Sequence, residues 1–507
     1  MRASPAFSLE KNPQSSRIDV MTKKGFFAVA AVFALSLAGA AASSGTGIDG
    51  LFRKTLPNGL EVFVMENDSA PLAYVEIAVR AGGVSQVPEN AGLFHLYEHM
   101  MFKGNSRYKD QKSFMAAMNS LGVGEWNGST GVDRVNYYFT VPSDKVRDGM
   151  EFWSLAVRSP NMDEGELERE KGVVLSEIRG DYTSPAEIAY AAVSSKLFPS
   201  CPWRVDSGGN PHAVENATVA QMREIQEEFY VPENSAVFVG GDVSHEEIFR
   251  FAEEIFGSWK RSPRAQAGVV VPPKNVSDSV VKLVYPNETT SDSFVLAQYM
   301  LRGPDGQCDA GDTYAADVWS EIARSPDGLF KRMMVSNEKL SIADSDYVGA
   351  GYLTARASGR ISFSAYMKNE GNPAEKADEF LRAVTVDAVG AMQEPSSGFT
   401  SGIDVVERRL SDSRVYEFES AEGVLSGISG SFASCGADYF FGYDSCMRSV
   451  TEDDIRSFVS SYIAGKNGVL FVSVSPSVFA RYEKDFRDGG FEVVTAENAF
   501  WWNSEGK

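Results

Sequence analysis

Histidine and cysteine are both scarce, four of each in 507 residues. Four cysteines, at 201, 308, 435 and 446, are too few for a disulfide framework in a chain of this length. Cys435 and Cys446 lie close enough in sequence to suggest a pair in an oxidising compartment. Positive charge is also short: 48 Lys and Arg stand against 69 Asp and Glu, a formal net charge of -21. That balance argues against nucleic acid and anionic membrane surfaces as partners and is compatible with an acidic chamber that favours basic peptides. Long apolar runs are missing apart from Gly25 to Ala42, which follows Lys23 and Lys24 and holds Ala-x-Ala sequences at 38–40 and 40–42. These are the three parts of a secretory signal, with Met21 as the start and cleavage near residue 42; a retained anchor is the other reading. The expected address is therefore the periplasm or the cell exterior, with no stable membrane association.

Two of the four histidines fall in one apolar run, GLFHLYEHMMFKG, residues 92–104. On a helix, positions i and i+4 share a face, so His95 and His99 can offer two imidazole nitrogens to one tetrahedral Zn2+ while Glu98 sits beside them as a base. This is the H-x-x-E-H order of an inverted zinc-peptidase motif. A zinc site needs a third protein ligand, and the segment DEGELEREKGVVLSEIRGD at 163–181 offers one. Asp163 three before Glu166 marks a helix start, and Leu167, Val174 and Ile178 recur at helical spacing. Glu170 and Glu177, seven apart, then lie on one face of that helix. The other two histidines read differently: His212 lies in a Gly/Pro-rich loop and His245 at a helix start, and neither is expected to bind metal.

Three stretches are similar, in the right order, to signatures of the pitrilysin/insulinase family of zinc metallopeptidases. They are LPNGLEVFVMENDSAPLAYVEIAVRAGG, GLFHLYEHMMFKGN and FYVPENSAVFVGGDVSHEEI. The resemblance implies that His95 and His99 bind zinc, that Glu98 activates water, and that Glu177 completes the metal site. Glu170 matches an auxiliary glutamate of the family, catalytic without being a ligand. Residues 124–142, GEWNGSTGVDRVNYYFTVP, resemble the family pattern Asn-Ala-x-Thr-x-x-Asp through Asn127, Thr130 and Asp133, with Tyr137 beyond. In the family this strand edge holds the substrate as an added strand, which implies substrate contacts at Asn127, Ser129 and Thr130. Gly128 stands where the family usually has Ala, and Ser129 where an aromatic is frequent. Read from its residues alone, Val135, Tyr137 and Phe139 alternate as one face of a strand.

The length suits two domains, and TVAQMREIQEEFYVPENSAVFV at 218–239 aligns without gaps on TEDDIRSFVSSYIAGKNGVLFV at 451–472, a constant offset of 233. Both copies read as helix, turn and buried strand. The expected fold is α+β: two homologous mixed-sheet domains with helices packed on one face. The expected divisions are a signal region over 1–44, a zinc-bearing domain over 46–262, a Pro/Ser/Ala-rich linker over 263–279, and a metal-free domain over 280–507. The second half has no histidine after His245, so it cannot repeat the metal site. Active family members bind the substrate carbonyl with an Arg and Tyr pair in a second half; here the alignment sets Met334 and Ile342 at those positions, with Arg332 or Tyr347 as shifted substitutes. The resemblance thus implies a zinc endopeptidase for unfolded peptides that closes its chamber with a second two-domain subunit, in a heteromer or homodimer. A non-catalytic or peptide-binding subunit of the same fold is the alternative.

Overall fold

The computed structural model describes residues 44–45, 47–263 and 276–503. The leader expected over 1–44, but for Ser44, and most of the linker expected over 263–279 lie outside the described residues. Among the described residues no helix is long and apolar enough to cross a membrane.

Seven strands form the first sheet: β1 (Ser44–Gly45), β2 (Leu51–Thr55), β3 (Glu61–Glu66), β4 (Leu72–Val79), β5 (Trp126–Thr130), β6 (Val135–Pro142) and β7 (Ser235–Gly241). Their order is β1-β2-β3-β7-β4-β6-β5, with β3 and β7 parallel and every other pair antiparallel. The helices that matter to the site or its support are α1 (Leu93–Met101), α2 (Val146–Arg158), α3 (Glu164–Asp181), α4 (Pro185–Leu197), α5 (Val219–Phe229) and α6 (His245–Phe256). The second sheet has β8 (Val281–Pro286), β9 (Phe294–Arg302), β10 (Val348–Leu353), β11 (Arg360–Lys368), β12 (Val469–Val474) and β13 (Glu492–Val493), in the order β10-β11-β9-β12-β8-β13. Its helices include α7 (Ala310–Arg324), α8 (Leu329–Ser336), α9 (Ala421–Ser434), α10 (Ala437–Met447) and α11 (Glu452–Tyr462).

The α+β class with two mixed sheets is as expected, and the internal repeat is visible in its details. A shift of 233 residues carries α5 onto α11 end for end, and both begin with a threonine capping box, Thr218 with Gln221 and Thr451 with Asp454. Strand β7 falls on β12 by the same shift, and both lie inside their sheets between an antiparallel and a parallel neighbour. In β6 the expected alternation holds: Val135, Tyr137 and Phe139 are fully buried, and Phe139 stacks on Trp153 of α2 at 4.8 Å.

Central strands such as β7 (SAVFVGG) and β12 (VLFVSV) are apolar and buried almost throughout, so each sheet needs cover on both faces. One face of the first sheet packs against α1, α2, α5 and α6. The other face, with Phe63, Tyr74, Ala78 and Phe238, is covered by Val424, Leu425, Ile428 and Phe432 of α9, a helix from the second half. The exchange is reciprocal, since Ile188, Ala192, Val193 and Leu197 of α4 join the core of the second half against β8, β9 and β12. Gly240 is required by this contact: a Cβ there would meet Leu425 Cδ1 at 2.6 Å and Ala421 Cβ at 2.8 Å. Glu76 of β4, with no exposure, accepts from Tyr74 Oη at 3.0 Å and Asn136 Nδ2 at 2.8 Å of its own sheet and, across the same interface, from Ser429 Oγ at 2.6 Å, with Arg134 3.6 Å away.

The structure bears on three readings of the second half, and corrects the last of them. Met334 and Ile342 are both core residues, buried among the apolar side chains that pack on the second sheet, so neither position can present a group to a substrate. Of their shifted substitutes, Arg332 is exposed and donates to the Asp327 carbonyl, and Tyr347 stacks on Phe294 at 6.2 Å. Cys435 and Cys446 are free thiols. Cys435 precedes α10 and Cys446 lies in its last turn, so the length of the helix, at about 1.5 Å per residue, holds the two backbones beyond the roughly 7 Å limit of a disulfide. The Cys435 thiol faces Gly306, and burial pushes it up to about 12.

Removing the Ser429 hydroxyl leaves a buried carboxylate one donor short. Ser429→Ala is therefore expected to lower unfolding stability by about 1–3 kcal/mol in denaturant titration, with the larger values reserved for charged acceptors of this kind.

Candidate metal centre

Helix α1 starts at Gly92, whose φ of 94° is a left-handed conformation that suits glycine. Leu93, Phe94, Leu96, Tyr97, Met100 and Met101 are fully buried and fix the roll of the helix, which leaves His95 and His99 to face α3. Asp163 caps α3 as expected, accepting the Glu166 N–H at 2.9 Å. The two helices bring three donors together: His95 Nε2 lies 3.6 Å and His99 Nε2 3.8 Å from the same oxygen, Glu177 Oε2. Tetrahedral zinc with bonds of about 2.0–2.1 Å sets its ligand atoms about 3.3–3.5 Å apart, so two imidazole nitrogens and one carboxylate oxygen at this spacing fit the ion with little adjustment. The two rings meet edge to face, with centroids 4.9 Å apart.

Around this triangle Glu170 and Glu98 each have a defined partner. Glu170 Oε2 lies 3.0 Å from His99 Nδ1, while its other oxygen pairs with Lys103 Nζ at 2.7 Å. That contact commits Nδ1 as the donor and leaves the Nε2 lone pair free to face Glu177. Glu98 is buried beside the histidines and accepts the Thr130 hydroxyl at 2.7 Å. Burial raises the Glu98 carboxyl above the usual range, an effect opposed by the Thr130 bond and by His99 and reinforced by Glu177.

Strand β5 ends the first sheet and presents an open edge on which Asn127 and Ser129 are exposed. Thr130 is engaged with Glu98 instead of standing free on that edge. Asp133 points away from the metal-binding side: its enclosed carboxylate accepts the Arg356 backbone N–H of the second half at 2.7 Å, and burial pushes it up to about 6. Tyr137 is a core residue whose hydroxyl meets that of Tyr230 at 2.9 Å. His212 is exposed, with its Nδ1 3.2 Å from Asn216 Nδ2. His245 stacks on Phe52, and its Nδ1 and backbone N–H both meet Glu66 Oε1, at 2.8 and 2.7 Å, so Glu66 anchors the start of α6. Glu66, His245 and Glu246 do approach closely enough to form a second candidate group, although this carboxylate is already occupied by two donors. Lys103 is the site residue that the sequence reading missed; it lies four residues after His99, and that helical spacing is the signal that could have found it.

A cavity of about 710 Å3 opens over the cluster, lined by His95, Glu98, Glu177, the backbone of residues 128–131, and Trp501 and Trp502 from the end of the second half. Among the described residues, none of 329–347 lines it.

The chain matches Insulinase (Peptidase family M16) over residues 62–200 and the Peptidase M16 inactive domain over residues 216–321. Over residues 62–321 it is thus similar to this family of peptidases. A probable mitochondrial-processing peptidase subunit beta of Arabidopsis thaliana is 24% identical over 248 residues, 49% of this chain and 45% of the relative. An uncharacterized zinc protease of Bacillus subtilis, YmxG, is 24% identical over 213 residues, 42% of this chain and 51% of the relative. The chain thus spans about half the length of the curated relatives it matches. In fold it is similar to a protease from Helicobacter pylori, with a TM-score of 0.69, 19% identity, and coverage of 83% of this chain and 98% of that one. It also resembles the periplasmic protease PqqL from Escherichia coli, with a TM-score of 0.64, 16% identity, and coverage of 89% of this chain and 51% of that one.

Gly128, the departure from the family's alanine, has a local cause: a Cβ there would sit 2.9 Å from the Phe102 ring and 3.1 Å from Glu98 Oε1. Gly128→Ala is expected to destabilise the chain by about 1–3 kcal/mol through overpacking. Adding Phe102→Leu should recover part of that loss in denaturant titration, and an additive pair would refute the steric account.

Proposed function

We propose that the chain is a zinc-dependent endopeptidase acting on unfolded peptides or small proteins. The observation that carries this reading is the approach of His95 Nε2 and His99 Nε2 to a single Glu177 oxygen, with Glu98 buried alongside. In this reading His95, His99 and Glu177 hold the zinc, which lowers the pKa of water and polarises the peptide carbonyl. Glu98, in its ionised form, takes the proton from the attacking water and delivers it to the leaving amine. Thr130 holds the Glu98 carboxylate in place, and Glu170, itself steadied by Lys103, fixes the His99 ring. The open edge of β5, where Asn127 and Ser129 are exposed, binds an extended peptide through its main chain, which suits substrates of varied sequence.

The same reading gives the chain a partner. PqqL is about twice as long as the part this chain matches, and the positions aligned with the substrate-carbonyl pair are buried as Met334 and Ile342. A second two-domain subunit, either a homologue or another copy, would close the chamber and supply that pair. The expected compartment is the periplasm or the exterior, in keeping with the leader read at residues 21–44.

Glu98→Gln should keep zinc, measured by elemental analysis, and lose peptide hydrolysis, because it removes the base and not a ligand. His95→Ala, His99→Ala and Glu177→Gln should each lower zinc content as well, and equal zinc loss in all four variants would refute the assignment. Glu170→Gln should reduce turnover more than occupancy; unchanged turnover would make Glu170 a bystander.

Purified alone, the chain is expected to show weak peptidase activity, with strong stimulation by a similar-sized homologue that carries the Arg and Tyr pair. Full activity of the isolated monomer at high dilution would overturn the need for a partner, and full activity of a homodimer would overturn only the heteromeric form.

A further inference from the structure

Phe500, Trp501 and Trp502 form a segment of the second half that crosses back to the first and touches the supports of both metal-binding helices. Trp502 donates its indole N–H to the Tyr182 hydroxyl at 2.7 Å, and Phe500 packs on the Tyr182 ring at 4.6 Å. Tyr182 caps the C-terminus of α3, the helix that carries Glu170 and Glu177. The tail therefore grips α3 five residues beyond the proposed carboxylate ligand. Glu177 is the most exposed of the three donors, its side chain 43% accessible, and so depends on the placement of its helix.

Trp501 reaches the other helix through one loop. Its indole N–H donates to Asp206 Oδ2 at 3.0 Å, and its ring meets Trp203 at 5.8 Å. Asp206 Oδ1 accepts the Gly209 N–H at 3.0 Å, which closes residues 206–209 into a tight turn. Gly209 lies against the residue that starts α1, so closely that a Cβ at position 209 would sit 2.1 Å from Gly92 Cα. Gln86 adds a second tie: it donates to the Trp203 and Asp206 carbonyls at 2.5 and 2.7 Å and accepts the Gly92 N–H at 2.6 Å. The Asn210 N–H completes the contact on the Ala91 carbonyl at 3.0 Å. His95 follows three residues after Gly92.

We infer that Trp501 and Trp502 are positioning residues for the metal centre, and that the metal-free half contributes this strut within the same chain. One indole fixes the loop against which α1 is seated, the other fixes the end of α3, and because they are adjacent in sequence they set the separation of the two helices. The inference rests on the zinc reading of His95, His99 and Glu177. The strut itself is a property of the protein without metal.

The test uses Trp501→Phe and Trp502→Phe in the full chain, which keep aromatic packing and delete one N–H each. Hydrogen exchange of the metal-free protein reads the strut directly, at amides 92–97 for Trp501→Phe and 178–183 for Trp502→Phe. Zinc affinity by competition with a chromophoric chelator reads its consequence. Faster exchange confined to the matching segment is expected, with affinity about tenfold weaker for each variant, the usual effect of removing support around a metal ligand. Tyr182→Phe combined with Trp502→Phe should add little to either single change. Unchanged exchange in both segments would overturn the inference, as would faster exchange with unchanged zinc affinity. A wild-type chain that binds no zinc would instead refute the proposed function, while the exchange comparison would still decide whether the tail positions α1 and α3.

Discussion

Two-sided burial of the central strands is the constraint on which the rest of this molecule depends. Strands β7 and β12 are apolar along both faces, and a sheet with such strands is stable only with cover above and below. Each half supplies its own helices for one face and takes a helix of the other half for the second, α9 over the first sheet and α4 over the second. The exchange makes the halves interdependent. It also explains why carboxylates at the interface meet donors there: Glu76 has three, and Asp133 accepts a backbone N–H from across the boundary. An unpaired carboxylate in either place would cost more than the packing around it returns.

This interdependence bears on the metal centre. Only residues 182–184 separate α3 from α4, so the helix bearing Glu177 is joined by a short turn to the one that the second half takes as cover. The electrostatics of the centre point in a consistent direction. Glu98, Glu170 and Glu177 crowd two imidazoles, and Lys103 offsets only Glu170. Concentrated negative charge of this kind, partly buried, favours a divalent cation at the point where the free donors converge. The raised pKa of Glu98 expresses the same crowding and burial.

The features legible in the sequence were those fixed by local periodicity. The two histidines four apart, the two glutamates seven apart, the Asp163 cap and the repeat over 218–239 and 451–472 all follow from helical spacing or gapless self-alignment, and the fold shows them in place. Readings that required knowledge of what lies opposite a residue fared less well. Met334 and Ile342 could be aligned but not seen to be buried, and Cys435 and Cys446 are near in sequence yet held apart by the length of α10. Thr130 and Asp133, adjacent members of one pattern, face different partners, since one turn of the chain directs the first to Glu98 and the second to Arg356.

By itself the sequence determined which residue types stand at metal-binding spacing, the helix and strand identities around them, and the duplication of the fold, because each is set by the geometry of a single element. Tertiary structure alone decided that His95, His99 and Glu177 meet at one oxygen, that Lys103 steadies Glu170, and that the second half reaches the site through Trp501 and Trp502. Those contacts join residues from 67 to 320 positions apart. Such separations are closed by the burial of two shared cores, and no local pattern records which side chains that burial will bring face to face.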